Sequence, residues 1–333
     1  MNQHNVAIVG ATGMVGRTFI NLLSERSFPV KTLRLFASQK SKGEILDFNG
    51  DQITVDVLTH NSFTDINFAL FSAGADVSKT FAPAAVAAGA TVIDNSSAFR
   101  MDEDVPLVVP EVNPRTLDTG SKLIANPNCS TIQMVMAVKP LHDLAVIKRI
   151  VVSTYQAVSG TGKDAVQELQ QQSKSRLHNE AICAKIYPHQ IAFNMLPHID
   201  VFCEGGHTKE ELKMVNETRK ILEIPQLPVS ATCVRVPVYT GHSLSLNLEF
   251  EQSISVEAAR NALGNFPGVV VLDEPEQAVY PTPAELAGRD EVFVGRIRQD
   301  DSIEHGLNLW VVADNLRKGA ALNAIQIAEL LVR

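Results

Sequence analysis

Near its N-terminus the chain reads Val6-Ala7-Ile8-Val9, then Gly10-Ala11-Thr12-Gly13-Met14-Val15-Gly16, then a segment with Phe19, Ile20, Leu22 and Leu23 at helical spacing. The apolar run reads as a buried strand and the spaced apolar residues as a helix. Strand, glycine loop and helix together present backbone N–H groups to a pyrophosphate. The spacing is G-x-x-G-x-x-G rather than G-x-G-x-x-G, and glycine triplets alone are as often a plain turn. Their place at the very start of the chain, between strand and helix, favours a dinucleotide site. The alternation continues. Thr32-Leu33-Arg34-Leu35-Phe36-Ala37 and Phe68-Ala69-Leu70-Phe71 read as strands. An alanine-rich helix over 82–88 ends at Gly89, and Thr91-Val92-Ile93-Asp94 is again a strand. The pattern predicts an α/β fold with a parallel sheet wound on both faces.

An NAD site usually carries Asp or Glu at the end of the second strand, for the ribose hydroxyls. Here the chain has Ser38-Gln39-Lys40-Ser41-Lys42, whose hydroxyls and ammonium groups suit a 2′-phosphate. With the glycine loop, this segment points to NADP. Arg100 follows a strand in the polar run Asn95-Ser96-Ser97-Ala98-Phe99, where open α/β sheets place ligands. It reads as an anion clamp or as an ordinary surface arginine.

After the apolar run Leu123-Ile124-Ala125 comes Asn126-Pro127-Asn128-Cys129-Ser130-Thr131, then an apolar segment expected to be helical and to stop before Pro140. Cys129 falls at the helix start. Unbonded N–H groups and the positive end of the dipole favour a thiolate there, and can hold an oxyanion. A single cysteine is more often a buried structural residue. The Asn-Pro-Asn turn argues against that by exposing the sulfur at a strand end.

The second half has a different rhythm. The strand Arg149-Ile150-Val151-Val152-Ser153-Thr154-Tyr155 runs into Gln156-Ala157-Val158-Ser159-Gly160-Thr161-Gly162. Helices are expected over 163–173 and 208–222, the latter capped by Thr208, with Glu210 and Lys213 on one face. On spacing alone that pair is an ordinary surface ion pair. Arg235 lies in a β-branched strand, and Thr240-Gly241 turns the chain to His242 and an alternating strand over 244–250. A hairpin over 293–312 and an amphipathic helix over 318–332 complete a mixed sheet covered by helices. The 333 residues suggest two domains, and a net charge of −8 excludes a general nucleic-acid binder. The four cysteines show neither metal-ligand nor disulfide spacing, no signal peptide opens the chain, and no apolar stretch is long enough to span a membrane. The cytoplasm is the expected compartment.

These segments, with Glu210-Glu211-Leu212-Lys213 and Arg235-Val236-Pro237-Val238-Tyr239-Thr240-Gly241-His242, resemble the shorter bacterial aspartate-semialdehyde dehydrogenases, in the family's order and over essentially the whole chain. The resemblance implies a Rossmann-like NADP-binding domain over 1–128, completed by a helix over 316–333. It also implies an α+β catalytic and dimerisation domain over 129–315, as in glyceraldehyde phosphate dehydrogenase. By the same likeness Cys129 carries the acyl group, His242 is the acid/base and Gln156 orients the substrate. Glu210 meets the substrate ammonium, Arg235 its carboxylate, and Arg100 and Lys213 the phosphate. Cofactor contacts fall on Thr12, Gly13, Met14, Val15, Ser38, Lys40, Ser41, Ser159, Gly160 and Asn315, with Lys40 standing where relatives often carry arginine. The implied reaction is reversible, NADPH-dependent conversion of aspartyl phosphate to aspartate semialdehyde and phosphate, by a homodimer, for lysine, threonine and methionine synthesis. Two rivals are an N-acetylglutamyl-phosphate reductase, whose acetylated substrate has no use for Glu210, and a non-catalytic paralogue, which would have no need of Cys129 and His242.

Overall fold

The first strand, β1 (His4–Val9), has Val6, Ala7, Ile8 and Val9 wholly removed from solvent in the computed structural model, which describes residues 3–117 and 120–332. Alternate strand residues face opposite ways. Val6 and Ile8 accordingly join a cluster with Phe19, Ile20 and Leu23 of α1 (Met14–Glu25), while Ala7 and Val9 join another with Ala82 and Ala85 of α2 (Ala75–Ala87). The sheet is completed by β2 (Val30–Ala37), β3 (Ile45–Phe48), β4 (Asp51–Val57), β5 (Phe68–Phe71), β6 (Thr91–Asp94) and β7 (Leu123–Ala125). Its order is β3-β4-β2-β1-β5-β6-β7, parallel throughout except for the β3/β4 pair. The strand order reverses between β1 and β5, the place where doubly wound sheets bind ligands.

This unit runs to Asn128 and takes in the chain again from Ala320. The C-terminal helix Leu322–Val332 follows a π-helical turn, Arg317–Ala321, so the regular helix starts four residues later than the expected 318; residue 333 lies outside the described residues. Leu322, Ala324, Ile325 and Ala328 share the cluster of α1, and Arg26 donates two 2.7 Å hydrogen bonds to the Glu329 carboxylate.

The second unit spans Cys129–Gly319. Its first helix, α3 (Cys129–Leu144), runs through Pro140 instead of stopping before it. An interior proline costs about 3 kcal/mol. Met134, Val135, Met136, Val138 and Leu141 are all wholly buried. At roughly 1.5–3 kcal/mol for each large apolar side chain, their packing outweighs the proline. The unit continues with β8 (Ile147–Gln156), α4 (Lys163–Leu177), α5 (Lys209–Leu222), β9 (Val229–Arg235), β10 (His242–Phe250), α6 (Val256–Gly264), β11 (Val269–Val271), α7 (Pro283–Leu286), β12 (Val292–Asp300) and β13 (Gly306–Ala313). The sheet order is β11-β12-β13-β10-β8-β9, parallel at β8/β9 and β11/β12 and antiparallel elsewhere. Along β8, Ile150, Val152, Thr154 and Gln156 are buried, while Val151, Ser153 and Tyr155 are half-buried. On that second face the rings of Tyr155 and Trp310 lie 5.4 Å apart. Among the described residues no helix is long and apolar enough to cross a membrane, and no group of three or more His, Cys, Asp or Glu side chains could hold a metal.

Candidate active site

In the second unit the parallel pairing of β8 with β9 sets Gln156 opposite Arg235 at the strands' C-terminal ends, both buried. The next residue, Ala157, uses both of its backbone groups. Its carbonyl accepts from Arg235 Nη1 at 2.7 Å, and its N–H donates to His242 Nδ1 at 3.0 Å. Because Nδ1 accepts, a neutral His242 carries its proton on Nε2. Burial, with the adjacent Arg235 charge adding to it, holds the His242 pKa well below 6.5. His242 Nε2 and Arg235 Nε are both buried without a hydrogen-bond partner in the protein. The backbone of Gly160 lies against both side chains: a Cβ there would sit 3.1 Å from Arg235 Nη1 and 3.2 Å from His242 Nε2. Beside it, the Asn315 amide donates to Ser159 Oγ at 2.9 Å and accepts from the Gly241 N–H at 2.9 Å, joining two of the expected cofactor contacts to the turn before His242.

Helix α5 begins with a capping box. Thr208 Oγ1 accepts from the Glu211 N–H, and the Glu211 carboxylate accepts from the Thr208 N–H. Glu210, in the first turn after that cap, is only 5% exposed. Its Oε1 accepts from Gln156 Nε2 at 3.2 Å and its Oε2 from Lys213 Nζ at 3.0 Å. Spacing alone gives a surface ion pair, whereas the fold buries Glu210 and half-buries Lys213. Lys213 has a second carboxylate partner, Asp200, at 2.7 Å. Burial opposes the Lys213 charge, but Glu210 and Asp200 outweigh it and raise its pKa.

Cys129 is the first residue of α3, as the turn ahead of it predicts, and is half-buried. The Gly319 backbone packs on it: a Cβ there would lie 3.0 Å from that of Cys129, tighter than an ordinary contact. Cys129 and Glu210 both act electrostatically on Cys233, whose thiol is pushed up to about 12 by burial first, then by Glu210. The second unit thus gathers Gln156, Glu210, Lys213, Arg235 and His242 into one polar network, with Cys129 in electrostatic reach of Cys233 in β9.

In the first unit, Gly10 ends β1 at φ +87°, and a Cβ there would come 2.8 Å from the Ser72 carbonyl oxygen. Gly13 caps α1 with no side-chain hydrogen bond, and the first turn has no acid, so its N–H groups face no built-in anion. Thr12 Oγ1 lies 3.2 Å from Ser41 Oγ, which ties the glycine loop to the turn Gln39–Ser41 after β2. Ser38 and Lys40 are exposed there, and no acid follows the strand. A tight glycine cradle, an unopposed helix N-terminus and a basic hydroxyl-bearing turn fit a dinucleotide with an extra phosphate. Arg100 is buried rather than a surface residue, donating from Nε to the Asn126 carbonyl at 2.9 Å and from Nη2 to the Asn95 carbonyl at 2.6 Å. Two participants carry no sequence signal: Ala157, which acts only through its backbone, and Asp200, which lies in the irregular segment before α5.

Residues 5–120 match the semialdehyde dehydrogenase NAD binding domain, and residues 138–318 the semialdehyde dehydrogenase dimerisation domain. An aspartate-semialdehyde dehydrogenase of Aquifex aeolicus is 59% identical over 334 residues, spanning 99% of this chain and 98% of its own. A crystal structure of aspartate semialdehyde dehydrogenase II from Vibrio cholerae complexed with ASA superposes at TM-score 0.97 with 48% identity, covering 100% of this chain and 99% of that one. The enzyme from Candida albicans, crystallised with NADP, gives 0.78 and 28%, with 99% of each chain covered. Similarity of this extent across both units makes the chain a member of the aspartate-semialdehyde dehydrogenase family.

Proposed function

We propose that the chain catalyses the reversible, NADPH-dependent reductive dephosphorylation of L-aspartyl 4-phosphate to L-aspartate 4-semialdehyde through a thioester on Cys129. The observation that carries this reading is the meeting of the buried Glu210 carboxylate, the half-buried Lys213 ammonium, the buried Arg235 guanidinium and the neutral His242 imidazole, on α5, β9 and β10. Aspartyl phosphate brings an ammonium, a phosphoryl group and a carboxylate. Glu210 takes the first, Lys213 and Arg100 the second, and Arg235, through its unpartnered Nε, the third. Gln156, held by Glu210, orients the acyl group.

Cys129 attacks the acyl carbon, the carbon–oxygen bond to phosphate breaks, and phosphate departs with the electron pair. Backbone N–H groups of the first turn of α3 stabilise the oxyanion. Thr12, Gly13, Met14, Val15, Ser38, Lys40 and Ser41, with Ser159, Gly160 and Asn315, hold the dinucleotide. When bound, NADPH supplies the hydride that reduces the thioester carbon. His242 offers its Nε2 proton to the oxygen on which charge accumulates. The thiohemiacetal then releases the aldehyde as the C–S electrons return to Cys129. The product serves lysine, threonine and methionine synthesis, a biosynthetic role that supports a cytoplasmic setting. The half-buried sheet face carrying Tyr155 and Trp310, within the segment matching the dimerisation domain, is the surface for a second copy.

The test is NADP reduction with aspartate semialdehyde, with and without phosphate, and with N-acetylglutamate semialdehyde as the competing substrate. Rapid reduction requiring both aspartate semialdehyde and phosphate is expected. Turnover indifferent to phosphate, or preference for the acetylated substrate, overturns the assignment.

A further inference from the structure

We infer that Asp200 competes with phosphate for the Lys213 ammonium and so sets how tightly phosphate is held. The inference rests on reading Lys213 as a phosphate ligand. Lys213 sits between two carboxylates, Asp200 Oδ2 at 2.7 Å and Glu210 Oε2 at 3.0 Å. Two carboxylates on one ammonium offset its charge, so an incoming phosphate is held more tightly once one carboxylate gives up its hold on Lys213. Glu210 is almost wholly buried and also bound to Gln156, while the Asp200 side chain is 30% exposed. Asp200 is therefore the one that yields.

The Asp200 carboxylate is held by its own backbone as well as by Lys213. The segment around it is tied on one side where Leu196 exchanges both backbone hydrogen bonds with Arg235, and on the other where the Lys209 N–H donates to Val201 and Phe202 pairs with Thr208. Within it Asp200 adopts φ +67°, a left-handed conformation that Asp and Asn tolerate better than other side chains, and its Oδ1 accepts from the Val201 N–H. Lys209 also acts on the Asp200 charge, more weakly than Lys213. When phosphate leaves, this fixed carboxylate recaptures Lys213, which favours release in the reductive direction and weakens phosphate binding in the reverse one.

Asp200→Asn keeps the left-handed backbone and an acceptor for Val201 while removing the charge. The phosphate KM in the oxidative direction should fall about five-fold, the strength expected of a partly exposed ion pair. Phosphate should inhibit the reductive direction correspondingly more strongly, with the KM for semialdehyde unchanged. Asp200→Gly, also free at this φ, should show the same gain and carries the test if the asparagine variant does not fold. The gain should vanish in a Lys213→Ala background. If Lys213→Ala alone leaves the phosphate KM unaltered, the phosphate-ligand reading fails. If Lys213→Ala raises it but neither Asp200 variant lowers it, the competition is refuted on its own.

Discussion

Gly160→Ala tests whether Arg235 and His242 are held as rigidly as their hydrogen bonds imply. The added methyl would lie 3.1 Å from Arg235 Nη1, 3.2 Å from His242 Nε2 and 3.3 Å from His242 Cε1. Unstrained contacts of this kind need about 3.5–4.0 Å, so something must move by several tenths of an ångström. Neither side chain can do so cheaply: the imidazole is wholly buried, and both are tied to the same peptide, Ala157, at 3.0 and 2.7 Å. A misplacement of about 1 Å at a reacting centre can cost on the order of 100-fold, and half that displacement corresponds to roughly ten-fold in kcat/KM. Overpacking a dense site should also lower stability by about 1–3 kcal/mol. Steady-state kinetics of semialdehyde oxidation at saturating phosphate, with a urea melt of the same sample, reads both quantities. A Gly160→Ala variant within two-fold of the parent in kcat/KM and with an unchanged melt would show that the turn yields, and that the two side chains are not fixed by it.

Cys129→Ala should abolish turnover while leaving the melt and NADP binding intact, and in the parent an alkylating agent should label Cys129 before exposed Cys183, with Cys233, pushed up to about 12, last. Near-native activity in that variant would exclude the thioester. Lys40→Glu should weaken NADP several-fold and NAD hardly at all, as read by titration with each cofactor; equal losses would show that the turn does not contact the 2′-phosphate. His242 has a folded pKa well below the 6.5 of its unfolded state, so below about pH 6.5 the unfolded chain binds the extra proton and stability drains away as pH falls. The parent should therefore lose stability between pH 7 and pH 5 more steeply than His242→Gln in urea melts, and parallel slopes would contradict the burial argument.

How much of this could be read in advance depended on whether local residues carried the signal. The strand–glycine–helix start was legible because Val6 to Val9 are buried on both faces, so the apolar run is uninterrupted. The β3/β4 hairpin lies outside the expected elements, although Asn49-Gly50, at φ 57° and 90°, is a strong two-residue turn signal; β3 is only four residues long and β4 opens on Asp51 and Gln52. Helix α2 begins at Ala75 rather than 82: its first turns carry Asp76, Ser78, Lys79 and Thr80, which mask the stripe of Val77, Phe81 and Ala84 that packs on the core. Pro140 misled because helix propensity is local and the burial of α3 is not. In the site, the Cys129 turn and the Glu210/Lys213 spacing were visible, but the burial of Glu210 and Arg100 depends on how distant strands and loops assemble. Asp200 could not be found: it meets Lys213 through a left-handed backbone thirteen residues upstream.

One peptide group explains why the network combines a fixed cation with a neutral imidazole. Ala157 directs the Arg235 guanidinium with its carbonyl and the His242 ring with its N–H, so both are aimed from the end of β8. Burial first, and then the adjacent Arg235 charge, disfavours a second cation, so the histidine is the group that stays neutral. That suits the chemistry. After Cys129 attacks, hydride arrives at the thioester carbon and the thiolate leaves again, so reduction and collapse together consume no proton. The single proton taken up by the whole reaction goes to the departing phosphate. What the reducing half needs from His242 is therefore a donor that strengthens its hydrogen bond as negative charge builds on oxygen, and a neutral ring with its proton on Nε2 provides that, while Arg235 remains charged for the carboxylate throughout the cycle.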